Sequence, residues 1–249
     1  MFDFTLALAG LRVGVSSQFE RTREFCQAYL TEGAADFSVR ILPEDIRAEY
    51  FKSVEEAELE GYEFQKIPPP FLERLAVYRK IADRMPEFDT ILFHGSAISV
   101  DGEGYLFTAL SGTGKSTHTR LWREHFGDRA VMVNDDKPLL RIQEDRVLVC
   151  GSPWNGKHQL GTNTVVPLKG LCILTRAEEN FIEPVTAGEA FPLLFQQTHR
   201  PKNPVATAKI LELLQKLSER TGLYRLGCNM NPEAAIVAYN GMNGKEKNL

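Results

Sequence analysis

The stretch Gly104-Tyr-Leu-Phe-Thr-Ala-Leu-Ser-Gly-Thr-Gly-Lys-Ser-Thr117 sets the frame for the whole chain. An apolar, strand-like run, Gly104 to Leu110, leads into a loop of small residues. A helix-like run, Ser116 to Phe126, leads out of it and stops at Gly127. Strand, small-residue loop and helix in this order form a phosphate-binding loop. Ser111, Gly112, Thr113 and Gly114 let main-chain N–H groups close around phosphate oxygens, and the start of the helix adds its positive end. Lys115 reaches the outer phosphates, Ser116 can hold Mg2+, and Thr117 completes the motif. Ala109 stands where such loops usually begin with Gly. A purely structural Gly-rich turn is the alternative, and the flanks together with the Lys-Ser pair speak against it.

Beyond the loop, Asp135-Asp136 follow the strand-like run Ala130 to Val133. A strand that ends in carboxylates suits a phosphoryl-transfer site. One Asp binds Mg2+, and the other accepts the proton of an incoming hydroxyl. Adjacent carboxylates repel, so both stay ionised only beside cations, which Mg2+ and Lys115 provide. His94 closes another short apolar run, Thr90 to Phe93, and is expected beside the loop strand, within reach of metal or transferred phosphate. The polar segment Gly151 to Gly161 contains Lys157 and His158, which are candidates for substrate contact. Lys169 and Arg176 are further cationic candidates. His199 and Arg200 close a helix, where positive charge suits the negative end, so they read as structural.

The 249 residues carry a formal net charge of −4, with 43% apolar and 25% charged residues. That balance offers no electrostatic case for a nucleic-acid or membrane partner. No apolar run is long enough to span a bilayer. Four scattered cysteines, three of them in apolar strand-like or helix-like runs, read as buried thiols of a cytoplasmic protein. A small α+β N-terminal region is expected over 1–88 and a nucleotide-binding domain over 89–249. In the first, strands over 1–15 turn near Gly10, a helix runs from Gln18 to Leu30, and Val39 to Leu42 is strand-like. An acidic solvated stretch, Glu55 to Glu60, and a helix ending at Pro86 follow. In the second, strands fall at Ile91–Phe93, Tyr105–Leu110, Ala130–Val133, Val147–Cys150, Leu171–Leu174 and Tyr224–Cys228. Helices run from a Thr186/Glu189 capping box, over Val205–Leu217, and from Asn231-Pro232. Strands that precede the second helix favour a mixed sheet.

His94-Gly-Ser-Ala, the loop Leu-Ser-Gly-Thr-Gly-Lys-Ser-Thr117 and Asn134-Asp-Asp136, in this order, resemble the kinase core shared by HPr kinase/phosphorylase and ATP-dependent phosphoenolpyruvate carboxykinase. Leu171-Cys-Ile-Leu-Thr-Arg176 and Pro184-Val-Thr-Ala-Gly-Glu-Ala190 resemble the carboxykinase stretch after its active-site loops. The likeness covers about residues 90–200. It implies an α/β, P-loop phosphoenolpyruvate carboxykinase-like (HPr kinase C-terminal-like) core with a mixed sheet. It also implies ATP and Mg2+ as cofactors. Lys115 would hold the β- and γ-phosphates, Ser116 and Asp136 would bind Mg2+, Asp135 or Asp136 would be the base, and His94 would contact metal or transferred phosphate. The chain lacks recognisable oxaloacetate-binding arginines and the Gly-Arg-Asn signature of HPr kinases. It therefore resembles the smaller HPr-kinase-related proteins, some of which phosphorylate a serine-type hydroxyl. Because related kinases are often oligomers, a homo-oligomer is a further expectation. The resulting expectation is an ATP- and Mg2+-dependent kinase acting on a hydroxyl of a small molecule, peptide or protein. A non-catalytic ATP-binding regulatory module and a minimal carboxykinase are the alternatives.

Overall fold

The computed structural model describes residues 1–61, 63–156 and 158–244, and it divides into two compact units, Met1–Arg84 and Met85–Leu249. In the first unit, β1 (Phe2–Leu8) and β2 (Leu11–Ser17) form an antiparallel hairpin. Its turn residues Ala9 and Gly10 both have positive φ, 51° and 77°. This is the twist that a two-residue hairpin turn requires, and Gly10 adopts it without a Cβ penalty. Alternate residues of β2 (Leu11, Val13 and Val15) are buried. A short helix, α1 (Glu20–Phe25), and a 3-10 turn lead to β3 (Leu30–Thr31), which pairs with β1. β4 (Phe37–Arg40) lies parallel to β2, giving the order β3-β1-β2-β4. α2 (Pro43–Glu60) packs on α3 (Pro69–Arg84), and α3 packs on β2 and β4.

One expectation is corrected in this unit. The helical spacing over Gln18–Leu30 yields only the short α1, because Leu30 and Thr31 are drawn into the sheet opposite Leu6 and Thr5. The acidic run from Glu55 forms the last turns of α2, with Glu55, Glu56 and Glu58 exposed as a solvated stretch, and Gly61 ends the helix in the left-handed conformation.

The second unit begins with β5 (Thr90–Leu92), β6 (Ser96–Val100), β7 (Glu103–Thr108) and α4 (Lys115–Phe126). β8 (Ala130–Asn134), β9 (Leu139–Ile142), β10 (Val147–Cys150), β11 (Val165–Arg176) and β12 (Phe181–Pro184) follow. The chain closes with α5 (Ala187–Gln196), α6 (Pro204–Arg220), β13 (Gly222–Cys228) and α7 (Glu233–Met242). The sheet order is β5-β9-β10-β11-β7-β6-β8, with β13 on β11 and β12 on β13. β11 runs parallel to β7 and β13 while the other pairs are antiparallel, so the sheet is mixed. β7 is buried on both faces, as expected for a strand between layers. Leu106 joins a core with Leu194, Leu213 and Leu217 of α5 and α6, while Tyr105 and Phe107 join another with Trp122 of α4 and Ala235 of α7.

One ribbon curls this sheet. β5 pairs with β9 and β6 pairs with β8, and the gap between the two pairings is bridged in the same register. The Phe93 N–H donates to Pro138 O (3.0 Å), and the Gly95 N–H donates to Asp136 O (3.1 Å). β5 and β8 are at opposite ends of the strand order, so the ribbon must bend at 93–96 and 134–138. Gly95 permits the bend: a Cβ there would stand 2.9 Å from both Leu106 Cδ1 and the Phe107 carbonyl oxygen.

Strands β6, β9 and β12 were not anticipated, and β11 starts well before Leu171. Pro167, Lys169 and Gly170 interrupt the apolar pattern of β11, and its pairing with β7 shifts register across Lys169. The last helix starts at Glu233, with Pro232 as its N-cap rather than its first residue. All four cysteines are free. Burial pushes the thiols of Cys26 and Cys150 up to about 12 and that of Cys172 well upward, which makes them inert. Among the described residues, no helix is long and apolar enough to cross a membrane.

Candidate active site

The loop between β7 and α4 turns through Gly112 (φ 75°) and Gly114 (φ 123°). Both values lie where a side chain is strained, so the backbone itself requires these glycines. Space is open around them: a Cβ on either would meet nothing within 4 Å. Thr113 Oγ1 donates to Leu110 O (2.9 Å), and Lys115 Nζ donates to Ala109 O (3.1 Å), so the lysine reaches back along the loop. Arg176, at the end of β11, donates to Gly112 O (2.8 Å) and braces the loop. Ser111 and Ser116 are exposed, and Thr117 is half-buried.

The bend in the ribbon places the other candidates. Asn134 is fully buried and shapes the turn that follows β8. Its Oδ1 accepts from the N–H groups of Asp136 (2.8 Å) and Lys137 (2.6 Å). Its Nδ2 donates to Ser152 O, Ser152 Oγ and Trp154 O. An Asn side chain that holds the backbone ahead of it is what lets two carboxylates follow a strand without continuing it. Asp135, only 7% exposed, accepts a hydrogen bond at Oδ1 from Ser96 Oγ (2.6 Å). The Ser96 and Thr119 hydroxyls are 2.9 Å apart, so β6, the end of β8 and the second turn of α4 share one polar network. Asp136 faces the other way, with its Oδ1 3.4 Å from His94 Nε2 and 3.3 Å from Lys137 Nζ.

The charges of this cluster follow from its burial. His94 is pushed down to about 4, first by desolvation and then by Lys137 and Lys115, while Asp136 and a hydrogen bond with Gln197 act in opposition. It is therefore neutral at pH 7. Lys115 is also lowered by burial, against the pull of Asp136. His94 was expected to follow a strand beside the loop strand. β5 in fact pairs with β9, and the bend then carries His94 to β7, where Thr108 Oγ1 donates to its carbonyl (3.1 Å).

Two cavities flank the loop. One, of about 350 Å3, is bordered by Ser116, Thr117, Arg120, Arg123, Asp135 and His158. The other, of about 760 Å3, lies between the loop, the end of β11 and α5, and includes Leu110, Ile173, Leu174, Arg176, Leu193 and Gln196. The fold thus gathers His94, Lys115, Asp135, Asp136 and the loop residues at one place, and His158 borders it. Lys157 lies outside the described residues. Lys169 is exposed beside the start of β7, seven residues of strand, roughly 23 Å, from Arg176 at the loop. It is thereby separated from the site. Ser96, Thr119, Asn134 and Lys137 belong to the site but were not singled out. Ser96 and Asn134 sit inside the motifs that flagged their neighbours, whereas Thr119 carries no signal of its own.

Among the described residues, no group of three or more His, Cys, Asp or Glu is arranged to hold a metal alone. A divalent ion bound chiefly by phosphate oxygens and water needs no such group, and Ser116 with one of the two Asp residues fits that donor set. No protein-family model matches the chain, and no curated protein matches it. Among solved structures, the HPr(Ser) kinase/phosphatase from Coxiella burnetii is similar at 12% identity, over 63% of this chain and 97% of that one, with a TM-score of 0.35. At that level the likeness carries no argument about activity, and the functional reading rests on the residues themselves.

Proposed function

We propose that this protein is a kinase that transfers the γ-phosphoryl group of ATP to a hydroxyl. One observation carries this reading: the bend in the ribbon brings Asp135, Asp136 and His94 to the loop that holds Lys115 and Ser116. The triphosphate is held by the N–H groups of residues 111–117 and by Lys115. The base and ribose occupy the larger cavity, against Leu110, Ile173 and Leu193. Ser116 and Asp136 would hold Mg2+, and the ion would supply charge neutralisation at the phosphates. Asp135 is the base, since it borders the smaller cavity and is oriented by Ser96. The acceptor hydroxyl passes its proton to Asp135 as its oxygen bonds to the γ-phosphorus. The bond from that phosphorus to the bridging oxygen breaks, and its electron pair leaves on ADP. Neutral His94, 3.4 Å from Asp136, is placed to contact the metal or the transferred phosphate.

The test is label transfer from γ-labelled ATP to hydroxyl acceptors. Transfer is expected to require Mg2+ and to vanish in Lys115→Ala. A Lys115→Ala protein as active as wild type, or ATP binding without any turnover, overturns the proposal.

A further inference from the structure

The smaller cavity has a charge pattern that a bare hydroxyl does not explain. On one wall, α4 presents Arg120 and Arg123 one turn apart, beyond Ser116 and Thr117; His158 and Leu160 form another, and Asp135 lies at the inner end. Arg120 has a partner, Glu124, at 2.6 Å, but that pair is exposed at the surface, where it is easily exchanged. Arg123 differs: its Nε is buried and has no hydrogen-bond partner. A buried guanidinium N–H without an acceptor is costly, and its planar fork matches a carboxylate or a phosphate.

Resting on the kinase reading above, the geometry points to the acceptor's chemistry: a small hydroxyl compound with an anionic group, carboxylate or phosphate monoester, held by Arg123 and Arg120. Phosphoryl transfer needs the incoming oxygen on the side of the γ-phosphorus opposite ADP. With the nucleoside in the larger cavity, the smaller one across the loop is that side. Its volume of about 350 Å3 is at the low end for small-molecule sites. The anion at the arginines anchors the acceptor, and its hydroxyl points inward to Asp135.

The experiment uses D-glycerate, glycerol 3-phosphate and glycerol as probes with the full chain. It measures binding by calorimetry and transfer by label. One anionic probe is expected to outperform glycerol by about tenfold or more in kcat/KM, and which one does so separates carboxylate from phosphate. In an Arg120→Met/Arg123→Met protein that advantage should fall to about twofold, while ATP affinity holds. Arg123→Lys and Arg120→Gln, which disturb packing less, should each lose part of it. Equal use of all three probes, no binding of either anion, or a preference that survives the double substitution overturns the inference. Lys115-dependent ATP turnover alongside any of these leaves the kinase reading standing. Loss of ATP binding in wild type removes both.

Discussion

Two buried carboxylates, one in each unit, serve opposite ends. Glu73 of α3 is fully buried, and its oxygens accept from the Gln18 N–H, the Phe19 N–H (3.1 Å) and the Thr22 hydroxyl. It ties α1 and the end of β2 to α3, and its acceptor capacity is spent inside the protein. Asp135 is almost as buried, but it accepts from Ser96 and borders an open cavity beside Ser116. A buried charge surrounded by donors stabilises a fold. One that faces a cavity is available for chemistry.

The sharpest way to break this comparison is to neutralise both carboxylates. Asp135→Asn should lower phosphoryl transfer by about a thousandfold, with a melting temperature unchanged or raised, as for a site residue whose charge the fold does not need. Label transfer and thermal denaturation check this, and a folded Asp135→Asn protein with near-normal transfer ends Asp135's role. Glu73→Gln should do the reverse. Its amide cannot accept what the carboxylate accepts, so the first unit should lose about 2–3 kcal/mol, read from denaturant unfolding, with transfer per folded molecule unchanged. A smaller effect sharpens the contrast. Ser96→Ala removes the donor that orients Asp135, and a loss of about tenfold in kcat with little change in the affinity for ATP is expected. If kcat stays constant, Ser96 is only a packing residue.

The smallest effect concerns His118, buried on α4 with its Nε2 accepting from Trp122 Nε1 (2.9 Å). Burial pushes it down to about 3. Below pH 6.5 the unfolded chain takes up a proton that the folded one refuses. Its contribution therefore favours folding less and less as pH falls from 6.5 towards 3. Wild type should lose more melting temperature between pH 6.5 and 4 than a His118→Phe protein. Parallel pH profiles would refute the assignment.

Much of this was legible without coordinates because it is local. The loop, its glycines and the Thr186/Glu189 capping box, observed with Glu189 bonding back to Thr186, depend on neighbours a few residues away. The hairpin turn at Gly10 is of the same kind. Asn134-Asp-Asp136 and His94-Gly-Ser96 stood out as residue types, but nothing along the chain showed that Ser96 bonds Asp135 while His94 faces Asp136. α1 was overread because its apolar spacing also suits the sheet that claims Leu30. Lys169 looked like any other cation until the strand register placed it by the start of β7.

Sequence alone therefore determined a loop able to wrap phosphate, since backbone freedom at Gly112 and Gly114 and the chemistry of Lys115 and Ser116 travel with those residues. Tertiary structure alone decided what faces that loop. Residues some 40 positions apart, near His94 and near Asp135, meet because Gly95 lets one ribbon bend across a curled sheet, and such pairing depends on strands distant along the chain rather than on neighbouring residues.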